Sequence, residues 1–217
     1  MSIQLLREIL INRRSIRKWK QDAVPRALVE DVITLATLAP SGNNQQNWSF
    51  IAVLNQELIQ QMAESVLTKA KAITVEGMGT PWENQLKGWA NSTVLFRQAP
   101  AVIAVYQAPY QSAADKFLAQ VISTNPLLKE VRQARAIINS GLQSAVAALS
   151  YLLLAISETG LGAVWMTSPL IAQKELEEML PSPPNTHLIA LIAVGYPDEF
   201  PAPRPRKPIS HVLQVIE

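Results

Sequence analysis

The sequence predicts an α+β domain, and three observations carry the prediction. Four short apolar runs, at 48–54, 100–106, 163–166 and 188–194, have the length and composition of strands. The longer segments between them repeat apolar residues at helical spacing. No internal repeat or linker divides the 217 residues, and a hydrophobic share of 48% is enough for one sizeable core. Residues 1–217 are therefore expected to form one domain, with 197–217 as a C-terminal arm.

Ile3, Leu6, Ile9 and Leu10 share one face of a first helix that runs into a basic segment. Asp22 and Val24-Pro25 open a second helix, with Pro25 near its first turn. Leu28, Val29, Val32, Ile33, Leu35 and Ala36 follow at helical spacing until Pro40 stops them. Trp48 to Leu54 reads as a buried strand, and Leu58 to Ala72 as a helix broken by Gly77, Gly79 and Pro81. Between there and Asn91, Trp82 and Trp89 stand among polar residues; they either pack in the core or at a subunit contact, or form a lid over a ligand. Pro100 to Tyr106 is apolar throughout, so both faces of this second strand should be covered.

Gln107 to Lys129 reads as a helical or looped insert carrying Phe117, Leu118 and Val121. Val131 to Glu158 keeps one helical register and is apolar nearly all round, with Ser140, Gly141, Ser144, Ala147 and Ala148 permitting close approach. It is expected to be a central helix, either inside one core or at the seam between two chains. Gly160 and Gly162 end it, Ala163 to Met166 forms a third strand, Gln173 to Leu180 a short helix, and Leu188 to Val194 a fourth strand. Prolines at 197, 201, 203, 205 and 208 make the tail extended and stiff, as suits an arm that wraps a partner subunit.

Composition removes several classes of function. The net charge of +2 leaves no broad footprint for nucleic acid. Cysteine is absent, which excludes disulfides, thiolate nucleophiles and thiolate-ligated metals, so redox chemistry would have to come from a cofactor. His187 and His211 lack metal-ligand spacing, and no metal site is expected. Met1 to Arg14 has no uninterrupted apolar core like that of a signal peptide, and Leu142 to Ile156 is shorter than the roughly 20 residues of a membrane span. A cytoplasmic protein with no membrane partner is the expectation. With eight glycines and neither a Gly-x-Gly-x-x-Gly after a strand nor a Walker loop, no dedicated dinucleotide domain is expected.

Two stretches carry the chemistry. Arg13-Arg14-Ser15-Ile16-Arg17 offers three guanidinium forks and a hydroxyl within five residues, a donor set suited to a phosphate. Pro40-Ser41-Gly42-Asn43-Asn44-Gln45-Gln46-Asn47-Trp48 places small and amide side chains before a strand, which suits a flat ligand with polar edges. Arg204 and Arg206 form a second basic cluster near the far end of the chain.

In order and spacing these stretches resemble the FMN-dependent nitroreductase family. There an Arg-Arg-Ser-x-Arg segment holds the flavin phosphate and ribityl chain, and a Pro-Ser-x-x-Asn-x-Gln-Pro-Trp segment follows. Asn47 stands where that family usually has Pro. The run Gly160-Leu161-Gly162-Ala163-Val164-Trp165-Met166-Thr167-Ser168 resembles the family strand whose end passes the flavin ring, and Arg204-Pro205-Arg206 the element that returns to the phosphate.

The resemblance implies a nitroreductase-type fold: a central mixed sheet flanked by helices, in an intertwined homodimer with exchanged C-terminal arms. It implies FMN at Arg13, Arg14, Ser15, Arg17, Pro40, Ser41, Gly42, Asn44, Gln46, Met166, Thr167, Ser168, Arg204 and Arg206, with the 40–46 loop serving the neighbouring chain's flavin. NADH or NADPH would be a transient electron donor. Without a dinucleotide domain, donor and acceptor would alternate at one flavin face, giving ping-pong hydride transfer to a nitroaromatic, quinone or related conjugated acceptor. A specialised member (reductive dehalogenation, enone reduction or flavin fragmentation) and a flavin-binding protein with little turnover are the alternatives. No catalytic acid or base is implied.

Overall fold

The computed structural model describes residues 3–122 and 124–217; Met1, Ser2 and Ser123, which fall within the N-terminal stretch and the insert, lie outside them. Helices α1 (Ile3–Asn12) and α2 (Arg26–Ala36) precede strand β1 (Trp48–Val53), and α3 (Gln56–Glu76) and α4 (Glu83–Thr93) lead to β2 (Ala101–Gln107). Then come α5 (Ala113–Gln120), α6 (Pro126–Ile138), α7 (Ser140–Glu158), β3 (Gly162–Met166), α8 (Gln173–Met179) and β4 (His187–Gly195). The strands lie in the order β1-β2-β4-β3 and every named pair is antiparallel. The expected mixed sheet is therefore corrected. Among the described residues a parallel pairing occurs only as the isolated bridge between Ser15 and Ala163.

Period-two alternation divides the buried strand residues between two cores. Val102, Ala104 and Tyr106 face one side with α3, α8 and Phe96, while Ala101, Ile103 and Val105 face the other with α2 and α7. β2 is buried at every position, as a strand covered on both faces must be.

The long helix expected over Val131 to Glu158 is two helices. Asn139 takes a left-handed conformation (φ 41°) that ends α6, and its side chain accepts the Leu142 N–H to start α7. The stretch Pro126–Glu158 is apolar and long enough to cross a membrane by composition alone. The break divides it, and α7 buries Leu149, Leu152, Ala155 and Ile156 in the core it shares with α2 and the sheet, as a core helix does.

α1 and α6 are amphipathic yet contain no buried residue, and residues 202–217 are exposed throughout. Trp82 is exposed and Trp89 half-buried, so neither anchors the core.

Candidate functional site

The segment after α1 is tied to the start of β3 and to the segment after β4. The Ile16 N–H donates to the Ala163 carbonyl (3.0 Å), the Lys20 N–H to Tyr196 (2.9 Å), and the Asp198 N–H returns to Lys18 (3.0 Å). Trp19, buried, donates its indole N–H to the Gly162 carbonyl at 2.9 Å. Gly162 makes this approach possible, since a Cβ there would lie 2.5 Å from Ile16 Cγ1. The Arg17 N–H meets the Glu199 carboxylate at 2.5 Å, and Arg14 Nε reaches the Pro201 carbonyl at 3.1 Å.

This lacing brings the two ends of the chain to one cavity of about 500 Å³. Arg13, Arg14, Ser15, Arg17, Arg204 and Arg206 line it with Leu10, Ile11 and residues 201–203. Five guanidinium groups thus share a cavity that no carboxylate lines among the described residues. Their availability differs. Arg14 is spent on the backbone carbonyls of Ile11, Arg13 and Pro201, which makes it a clamp on the helix end and the tail. Arg13 and Arg204 have no side-chain hydrogen bond or ion pair among the described residues, and Arg17 and Arg206 make only long bonds to nearby carbonyls (3.3 and 3.5 Å). Unneutralised cations gathered in this way are arranged for an anion. An apolar groove of about 400 Å³, lined by Leu153, Ile156, Leu161 and Phe200 among others, adjoins it and shares Arg13, Arg14 and Pro201.

The remaining expected site residues lie elsewhere in the chain. Met166 is buried at the end of β3, followed by exposed Thr167 and half-buried Ser168 at the start of a 3-10 turn. The amide loop precedes β1, at the opposite edge of the sheet, about 14 Å away by the spacing of four strands. Pro40, Gly42, Asn44 and Gln46 are exposed there, and Ser41 Oγ accepts the Gln46 N–H at 3.0 Å. The chain therefore unites the basic residues but does not bring its amide loop to them.

Several contributors were not visible in the sequence. Glu199 seats the basic segment, and so do Trp19 and Gly162 through contacts that their places in the sequence do not reveal. On the amide side, Asn43 Nδ2 donates to the Tyr110 hydroxyl (2.9 Å), and Gln45 exchanges two bonds with the Gln111 backbone (3.0 and 3.1 Å). Asn47, which replaces the family's usual Pro, is buried; its Nδ2 donates to the Pro109 carbonyl at 3.1 Å and its own carbonyl accepts the Ala108 N–H at 2.9 Å. These two bonds tie the end of the amide loop to 108–109. Behind them Arg135 pairs with Asp115. Its side-chain bond, reinforced by Ser112, holds the Asp115 carboxyl well below the usual carboxylate range.

A fold of one antiparallel sheet between two helical layers, with a cluster of arginines closed by the chain's two ends, defines the class. The family model of the Nitroreductase family matches residues 10–196, and this chain belongs to that family. It is 27% identical over 207 residues to YfhC of Bacillus subtilis strain 168, a candidate NAD(P)H nitroreductase by name, covering 94% of this chain and 91% of that one. Among solved structures, a BluB-like flavoprotein from Clostridium difficile 630 superposes with a TM-score of 0.86 at 26% identity over 100% of both chains. An iodotyrosine deiodinase bound to FMN and 3-iodo-L-tyrosine superposes at 0.67, with 24% identity over 98% of this chain and 97% of that one.

Proposed function

We propose that this chain is an FMN-dependent oxidoreductase, one domain with 197–217 as an arm, that works as a homodimer and passes hydride from NADH or NADPH to a nitroaromatic, quinone or related conjugated acceptor. The observation that carries this reading is the arginine-lined cavity closed by both chain ends. A phosphate monoester dianion fits it: Arg13, Arg17, Arg204 and Arg206 are free to donate, and Ser15 adds a hydroxyl. From the Ser15 bridge at Ala163 to Thr167, β3 extends about 13 Å, so a ligand held by its phosphate at one end would reach Met166–Ser168 with the other.

FMN, when bound, supplies the two-electron hydride chemistry. The chain's own residues would bind and orient it. The guanidinium groups would hold the phosphate, backbone N–H groups at Thr167 and Ser168 would serve the ring, and Asn44 and Gln46 of the partner subunit would frame its polar edge. The separation of amide loop and arginines within one chain favours sites completed across two chains.

Surface area supports the dimer. A compact monomer of 23.9 kDa exposes about 9,900 Å², whereas this chain exposes 13543 Å². The excess of about 3,600 Å² per chain is on the scale of an obligate, intertwined interface. α1, α6 and the 202–217 arm, none with a buried residue, are the elements available to fill it.

Similarity to iodotyrosine deiodinases, 26% identical over 213 residues, favours reductive dehalogenation as a second reading. One experiment separates the readings. Purified protein should carry a yellow, flavin-like absorbance that NADH or NADPH bleaches without oxygen, and nitroaromatics or quinones should restore it. Restoration by 3-iodotyrosine alone would select dehalogenation, and a protein that takes up no FMN would refute both.

A further inference from the structure

We propose that Tyr110 is a positioning residue, the brace that holds the strained amide loop in the conformation in which it meets the flavin ring; the inference rests on the flavin reading above. The loop needs a brace because three of four successive residues, Asn43 (φ 50°), Asn44 (φ 53°) and Gln46 (φ 48°), occupy the left-handed region without being glycine. Asn tolerates that region better than most residues, but Gln has no such preference, so the loop left to itself would relax. Its internal bonds are few. The Gln46 N–H meets Ser41 Oγ, and the Asn44 and Gln45 N–H groups close the 3-10 turn onto Ser41 and Gly42.

Apart from a long bond from the Gly42 N–H to Ser144 Oγ (3.4 Å), the side-chain restraint on the loop comes from 108–111, and Tyr110 is its hub. The phenol oxygen accepts Asn43 Nδ2, and the ring lies so close to Gly42 that a Cβ there would stand 2.8 Å from Tyr110 Cε2. The Arg135 guanidinium sits 5.9 Å from the ring centroid, within cation–π range. Arg135 is itself fixed by Asp115, through Nη2 to Oδ2 at 2.6 Å and a second, shorter bond from Nε. The start of α7 closes the other side. A Cβ on Gly141 would lie 2.5 Å from the Ala108 carbonyl oxygen and 3.0 Å from the Tyr110 nitrogen, so only glycine lets the helix abut this segment. Asp115, Arg135 and Tyr110 thus form a continuous support from the α5–α6 pair to Gly42 and Asn43. None of these three residues reaches the arginine cavity, so the support acts on the ring side of the site alone.

The test compares FMN with riboflavin, which has the same ring and no phosphate, on the full-length protein. Tyr110→Phe removes only the hydroxyl and should weaken both ligands by the same factor, about three- to tenfold for one hydrogen bond. The visible band of the bound flavin should move towards that of free flavin, while circular dichroism and melting temperature stay at wild-type values. Arg135→Met, which withdraws the cation from the ring, should reproduce the equal loss for both ligands. Unchanged affinity and spectrum in Tyr110→Phe would overturn the proposal. So would a loss confined to FMN, which would place the effect at the phosphate, or a loss matched by a fall in melting temperature, which would make Tyr110 merely structural. Wild-type protein that binds neither ligand would defeat the flavin reading, and this inference with it.

Discussion

Replacing Gly162 by alanine tests whether the sheet edge seats the basic segment. The added Cβ would lie 2.5 Å from Ile16 Cγ1, 2.8 Å from its Cβ and 3.0 Å from Cγ2. Rotating the isoleucine moves the two γ carbons but not its Cβ, so the backbone of residues 15–17 has to retreat from β3. That retreat strains the Ile16 N–H bond to Ala163 and the Trp19 bond to Gly162, beside the apolar groove that adjoins the arginine cavity and is lined by Ile16, Gly162 and Ala163. Overpacking of this kind costs about 1–3 kcal/mol. For a chain of this size, a shift of about 2–4 °C per kcal/mol gives a melting temperature lower by roughly 2–12 °C. Because Arg13 and Arg17 flank the displaced residue, FMN affinity should fall at the same time. A thermal melt and a fluorescence titration with FMN read the two effects. A Gly162→Ala protein with unchanged melting temperature and FMN affinity would refute the argument that this contact positions the arginines.

Trp19→Phe removes the indole bond to the buried Gly162 carbonyl and should cost about 1 kcal/mol in urea denaturation. Asp115→Asn removes the ion pair with Arg135 and weakens the Ser112 capping box, for about 1 kcal/mol at neutral pH. Since the folded state depresses the Asp115 pKa, its stabilisation is complete above the ordinary carboxylate pKa of about 3.9 and lost as pH falls towards the depressed value. The stability gap between wild type and Asp115→Asn should therefore hold from pH 7 to about 4 and narrow only below that. Deleting residues 201–217 should give a monomer by light scattering that no longer retains FMN, because the deletion removes Arg204, Arg206 and the exposed arm together.

The strands were legible because burial on both faces leaves an unmistakable apolar run, as at Ala101–Gln107. That Arg204 and Arg206 return to Arg13 and Arg17 was implied by the family resemblance and not by composition; the four do line one cavity. The break at Asn139 was not legible. The apolar register continues through it, and only the ability of Asn to adopt φ 41° while capping Leu142 distinguishes it from a helical residue. Asn followed by Ser140-Gly141 is the signal that could have marked it. α1 shows the opposite failure: Ile3, Leu6 and Leu10 have the spacing of a buried face, yet remain exposed within the single chain. Periodicity reports that a face needs cover and not what provides it. Strand direction was not encoded locally either, so the antiparallel order had to be seen. The brace of 108–111 against 41–47 depends on pairings some 65 residues apart in sequence, which no local pattern encodes.

The central claim is that guanidinium groups from both ends of the chain hold one phosphate. It is tested most directly by measuring FMN and riboflavin dissociation constants for wild type, Arg13→Gln and Arg206→Gln. At about 1.5–3 kcal/mol for each charged contact, wild type should prefer FMN by roughly a hundredfold or more. Either substitution should reduce that preference by about tenfold or more, leaving riboflavin affinity unchanged. Equal affinity of wild type for the two flavins, or a preference that survives the loss of Arg206, would contradict the account.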